Sequence, residues 1–107
     1  MPTQPLTGTV ALVTGANHGI GAATAIELAE RGADIAVSFL RTADQGRTDD
    51  YNLARARNAE NVIGAIETLG QRAVGIEADL SDPDVPARLF DEAEAALGPV
   101  SVLVHNA

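Results

Sequence analysis

The chain has 107 residues, enough for at most one small domain, and a net charge of −8 at pH 7, which argues against a nucleic-acid partner. It has no cysteine, so neither a disulfide framework nor a thiolate metal site can form, and its two histidines stand in unrelated contexts. No apolar run approaches membrane-spanning length, and no basic segment precedes an apolar one at the start, so a cytoplasmic protein without membrane contact is expected.

Residues 1–8 form a short polar lead-in. Val10 to Val13 is apolar throughout, which predicts a parallel strand covered on both faces. A helix is predicted from Gly19 to Arg31 with Gly32 as its stop; Ala22, Ala25, Ile26 and Ala29 recur at the helical period and are small enough to lie close to a sheet. A second strand, Ile35 to Phe39, follows. Thr42 to Asn52 is polar and reads as a loop longer than such connections usually are. The next helix is predicted over Leu53 to Leu69, with Ala59, Val62, Ile63 and Ile66 on one face and Gly70 closing it. Ala73 to Glu77 is the third strand. Ser81-Asp82-Pro83-Asp84 has the form of a helix cap followed by an acid, but Pro86 would remove a hydrogen bond, which places the regular start near Asp84. Val85, Leu89, Ala93 and Leu97 form the buried stripe of that helix, Gly98-Pro99 ends it, and Val100 to Val104 is a fourth strand. Strands alternating with helices give an α/β fold with a parallel sheet and right-handed crossovers.

The stretch Thr14-Gly15-Ala16-Asn17-His18-Gly19-Ile20-Gly21 falls where the first strand hands over to the first helix. Glycine there permits a tight turn and lets backbone N–H groups approach an anion at the positive helix end. A Walker loop would need Gly-Lys-Ser/Thr; the chain has no lysine, and Gly21 is followed by Ala22. The GxGxxG pattern beginning at Gly19 fails at Thr24. What stands is TGxxxGxG.

That pattern resembles the cofactor loop of the single-domain short-chain dehydrogenase/reductase family, and the resemblance extends over nearly the whole chain. It implies a Rossmann-type doubly wound parallel sheet in three α/β/α layers with strand order 3-2-1-4. Residues 1–107 would be the N-terminal part of one dinucleotide-binding domain, with the ligand crevice between strands 1 and 4. The implied cofactor-binding residues are Gly15, Asn17, His18, Gly19, Ile20 and Gly21 at the glycine turn. Asp79 and Leu80 match the family's adenine-contacting pair after the third strand. His105-Asn106-Ala107 is similar to its Asn-Asn-Ala-Gly, departing at His105; Asn106 would tie strands together and, with Ala107, line the ribose. His105 itself reads as a polar residue satisfied at a strand end.

NAD enzymes place an acid at the end of strand two to bind both ribose hydroxyls. Phe39 stands there, Arg41 follows two residues on, and His18 offers a second donor, so NADP(H) is expected over NAD(H). Asp34 begins the strand and is not the missing acid.

The resemblance implies hydride transfer between the nicotinamide cofactor and a small alcohol or carbonyl, in a complete protein that forms a homo-oligomer. The family's Tyr-x-x-x-Lys pair, serine and upstream asparagine lie beyond Asn106 in its order, so no catalytic residue is assigned. Tyr51 with Arg55 is a superficial echo in a loop. The segment is expected to be an inactive cofactor-binding fragment of a longer oxidoreductase. The alternatives are a non-catalytic nucleotide-binding or sensor module and, ranked last for want of an acid at Phe39, a methyltransferase.

Overall fold

The computed structural model describes residues 5–16, 19–39, 49–78 and 82–106, with backbone alone over 49–57. In chain order the elements are β1 (Val10–Thr14), α1 (Gly19–Glu30), β2 (Asp34–Phe39), α2 (Asp49–Thr68), β3 (Ala73–Glu77), α3 (Val85–Leu97) and β4 (Val102–Val104). The four strands form one parallel sheet in the order β3-β2-β1-β4, as expected. Register runs from Val10 opposite Asp34 to Thr14 opposite Ser38, and Leu12 pairs with Leu103. All carboxyl ends therefore meet at one edge, which is where a doubly wound sheet holds ligands.

Alternation along the strands divides the core in two. Ala11, Val13, Ile35 and Val37 face α1 and α2, meeting Ala25, Ala29, Val62 and Ile66. Val10, Leu12 and Ala36 face α3 and meet Val85, Leu89, Ala93 and Leu97, the stripe the helical period predicts. Ala25 and Ala29 are fully buried, and Ala22 and Ile26 pack partly buried beside them. With no bulk beyond Cβ at its most buried positions, α1 lies close against the sheet.

The helix ends follow local chemistry. After α1, Gly32 (φ +105°) allows its own N–H to reach the Ala29 carbonyl and that of Ala33 to reach Leu28. Gly70 (φ +88°) does the same after α2, with Gln71 donating to Ile66. Both close as Schellman motifs at the glycines the sequence marks. The start of α3 differs from the predicted cap. Asp84 is the N-cap but its side chain caps nothing; instead the Asp82 carboxylate accepts the Asp84 N–H at 2.9 Å. Pro86 is tolerated because it falls in the first turn, where its missing N–H would have had no helical acceptor. Ser81 lies outside the described residues.

Two boundaries are corrected. α2 begins at Asp49 rather than Leu53, so Asp49 to Asn52, and Tyr51 with them, are helical and not loop. The part of the predicted loop from 42 to 48 lies outside the described residues. β4 begins at Val102 rather than Val100, because the Val100 N–H is taken by the Glu94 carboxylate at 3.0 Å. The apolar pattern of β4 predicts a central strand, yet among the described residues it stands at the sheet edge with Leu103 53% exposed. Among the described residues no helix is long and apolar enough to cross a membrane.

Candidate functional site

β1 is buried along its whole length, so the chain can turn into α1 only at its carboxyl end. There Gly15 adopts φ +62°, a conformation that strains any side chain. A Cβ at Gly15 would also strike the Asn106 carbonyl oxygen and come within 3.3 Å of its amide nitrogen. Gly21 is required for another reason. Its hypothetical Cβ would collide with the Gly15 carbonyl oxygen and lie 2.7 Å from Asn106 Nδ2. These two glycines let turn, helix and strand end close on one another.

Gly19 is different. It also has positive φ (+63°), but a Cβ there would meet nothing within 4 Å. It opens α1, whose first turn holds no acidic side chain. The first-turn N–H groups of a helix have no intrahelical acceptor, and the positive end of α1 is offset by no carboxylate of its own. Backbone donors, positive potential and open space coincide, which is the requirement for binding an anion. Ile20 beside it is 78% exposed.

The opposite wall is the end of β4. Asn106 donates its backbone N–H to Thr14 Oγ1 at 3.0 Å and its side-chain amide to the Gly15 carbonyl at 3.3 Å. It therefore ties β4 to the glycine turn, the strand-tying role expected of it. On the other side, Ala16 N–H donates to the Ser38 carbonyl at 3.1 Å, fixing the turn to β2. Thr14 opens the TGxxxGxG pattern but is not among the expected cofactor residues, although a hydroxyl at the end of an otherwise apolar strand must find a partner. Its oxygen, on a residue 3% exposed, proves to be the hub between β1 and β4.

Phe39 ends β2 on the same edge. Its ring is buried, with Cε1 3.5 Å from where a Cβ of Gly75 would stand, and its carbonyl accepts the Ala78 N–H at 2.9 Å. The position thus presents no carboxylate. A groove of about 420 Å³ beside it is lined by Phe39, Ala59, Glu60, Ile63, Gly75 and Glu77. Two acids make that groove a poor seat for a phosphate. Asp34 stands at the far end of β2, where it accepts from the Arg72 backbone N–H at 2.9 Å and from its guanidinium at 3.0 and 3.1 Å. Of the expected cofactor residues, Gly15, Gly21 and Asn106 are brought into contact, Gly19 and Ile20 open the adjoining helix, and Phe39 stands one strand away. Asn17, His18, Arg41, Asp79, Leu80 and Ala107 lie outside the described residues.

Comparison with known proteins agrees with this geometry. The family described as short chain dehydrogenase matches over residues 9–107. The chain is similar to elsinochrome reductase 1 of Elsinoe fawcettii, 39% identical over 99% of this chain and 35% of that protein. It is also 40% identical to an NADPH-dependent aldehyde reductase-like chloroplastic protein of Arabidopsis thaliana, over 99% of this chain and 38% of the relative. Among solved structures, a short chain dehydrogenase of Burkholderia cenocepacia in complex with NADP superposes with a TM-score of 0.79 at 39% identity, covering 96% of this chain and 37% of that one. The chain thus spans little more than a third of the length of the relatives it matches.

Proposed function

Since the chain belongs to the short-chain dehydrogenase family, we propose that it forms the dinucleotide-binding part of an NADP(H)-dependent oxidoreductase acting on a small alcohol or carbonyl compound. The observation that carries this reading is Gly19, which combines positive φ, open space and the N-terminus of α1, whose first turn holds no acidic side chain, at the carboxyl edge of the sheet. A dinucleotide pyrophosphate needs that combination. The NADP complex of the Burkholderia relative, which shares the fold, supports the same class of ligand.

Each residue then has a distinct task. Gly19, Ile20 and Gly21, with Asn17 before them, offer main-chain donors to the pyrophosphate, Gly15 turns the chain so that they can, and His18 adds a second donor toward the 2′-phosphate. Asn106 holds β4 against that turn and, with Ala107, lines the adenosine ribose. Asp79 and Leu80 receive the adenine ring. Phe39 leaves the end of β2 free of the carboxylate that would repel a 2′-phosphate, and Arg41 supplies the cation that attracts one. When bound, the cofactor supplies the nicotinamide ring that exchanges the hydride. No residue of this chain is assigned as the acid or base. The 107-residue chain alone is expected to bind the cofactor weakly or not at all and to turn nothing over. A homo-oligomeric assembly is proposed for the active protein.

The test is a titration of the complete protein followed through backbone amide NMR signals. Addition of NADPH should shift Gly15, Gly19 and Gly21, and NADH should act only at higher concentration. Arg41→Ala should weaken NADPH binding by about tenfold and leave NADH unchanged. Tighter binding of NADH would overturn the cofactor preference, and unmoved signals at the glycine turn would overturn the site.

A further inference from the structure

β3 is the outermost strand, with β2 on one side of it and no strand on the other among the described residues. Ala78 lies just past its end and donates its N–H inward, to the Phe39 carbonyl at 2.9 Å. In a trans peptide the carbonyl points opposite to the N–H of the same unit, so the Glu77 carbonyl faces the open edge. There it accepts from Arg88 Nη2 at 3.1 Å. Arg88 can reach it because Val85 and Leu89 share a buried cluster with Ile76 and Ala78, which seats the start of α3 over the end of β3. The peptide unit joining Glu77 to Ala78 is thus gripped from both sides, by β2 and by α3. Asp79 and Leu80 follow at once in the sequence.

We infer that Arg88 is a positioning residue for the adenine end of the ligand. By fixing the plane of the peptide unit that closes β3, it sets the direction in which the chain delivers Asp79. The inference rests on the reading above that gives Asp79 and Leu80 to the adenine ring. An ionised carboxylate can only accept, and the donor adenine offers it is the 6-amino group. That bond is the one a loosened β3 end would misdirect. The other contact of Arg88 is an ion pair one turn along α3, Nη1 to Glu92 Oε2 at 3.5 Å, between side chains about half exposed. Such a pair contributes little and joins α3 only to itself. The bond to the Glu77 carbonyl is what couples the helix to the strand end.

The experiment uses the complete protein and two probes of equal charge: NADPH and its hypoxanthine analogue, in which an oxygen replaces the 6-amino group. Fluorescence titration of the reduced nicotinamide gives dissociation constants for wild type, Arg88→Ala, Arg88→Lys and Glu92→Gln, with the fold of each checked by circular dichroism. Wild type should prefer NADPH. Arg88→Ala should bind NADPH about fivefold more weakly and the analogue within about twofold of wild type. Arg88→Lys keeps a donor for the carbonyl and should return NADPH binding to within about twofold, and Glu92→Gln, which breaks the ion pair alone, should bind as wild type does. Equal loss of both probes by Arg88→Ala would signify a lost charge or a loosened fold and overturns the inference. So does an alanine variant of wild-type affinity, a lysine variant as weak as alanine, or a Glu92→Gln variant as weak as either. These outcomes leave the nucleotide site standing. Wild type that binds the two probes alike overturns the adenine reading of Asp79 and this inference with it, and wild type that binds neither overturns the nucleotide site itself.

Discussion

Gly19 and Gly21 belong to one motif and are two residues apart, yet they answer to different constraints. At Gly21 a methyl group would strike the Gly15 carbonyl, a backbone atom that cannot swing aside. Gly21→Ala is therefore expected to destabilise the chain by about 2 to 3 kcal/mol through overpacking. At Gly19 the same methyl meets open space, so Gly19→Ala costs only the strain of positive φ, about 1 to 2 kcal/mol. The methyl would nonetheless stand where an anion must approach the first turn of α1. Urea denaturation should thus rank Gly21→Ala as the less stable variant, while NADPH titration of the folded fraction should show Gly19→Ala losing binding. A Gly19→Ala variant that bound like wild type would remove the reason for glycine at that position. The need for glycine at both positions was legible in the spacing; the division of labour was not, because it depends on where Asn106 arrives from 85 residues beyond Gly21.

Element boundaries were legible where a local signal set them and were displaced where a distant side chain intervened. The glycine stops of α1 and α2 and the stripe of α3 were read directly, since period and positive φ are properties of the segment itself. The start of β4 was not, because a carboxylate on α3, Glu94, takes the Val100 N–H. Asp34 illustrates the same limit. The sequence excludes it from the cofactor edge without revealing its task, which is to join the start of β2 to the start of β3 through Arg72, whose guanidinium also reaches the Leu97 carbonyl at 3.0 Å. The guanidinium is largely exposed, so the ion pair itself contributes little, and the bond from the Arg72 backbone N–H is the more durable part. Asp34→Ala should destabilise by about 1 to 2 kcal/mol and Asp34→Asn, which keeps an acceptor for that N–H, by roughly half as much. Both should leave dinucleotide binding by the folded chain unchanged, since they act at the opposite end of the sheet. Denaturation midpoints together with NADPH titration would check this, and an affinity change in either variant would contradict the separation of the two ends.

For the molecule as a whole, the sequence disclosed the order of the layers and not their reach. α1 and α2 cover one face of the sheet, while α3 covers the other over β3, β2 and β1. β4 lies beyond α3. Leu12 and Leu103 are paired neighbours on that same face, yet Leu12 is 1% exposed and Leu103 is 53% exposed. Identical residues in adjacent strands therefore carry unequal shares of the folding energy, because transfer free energy follows the apolar area removed from water. Leu12→Ala should cost about 3 to 5 kcal/mol, including the cavity it leaves between β1 and α3. Leu103→Thr keeps a residue suited to a strand and should change stability by no more than about 0.5 kcal/mol. Urea denaturation of the two variants of the 107-residue chain tests this directly. A loss at Leu103 approaching that at Leu12 would mean that something covers this face of β4 in solution. Sedimentation velocity on the same samples would then show whether that cover is a second copy of the chain.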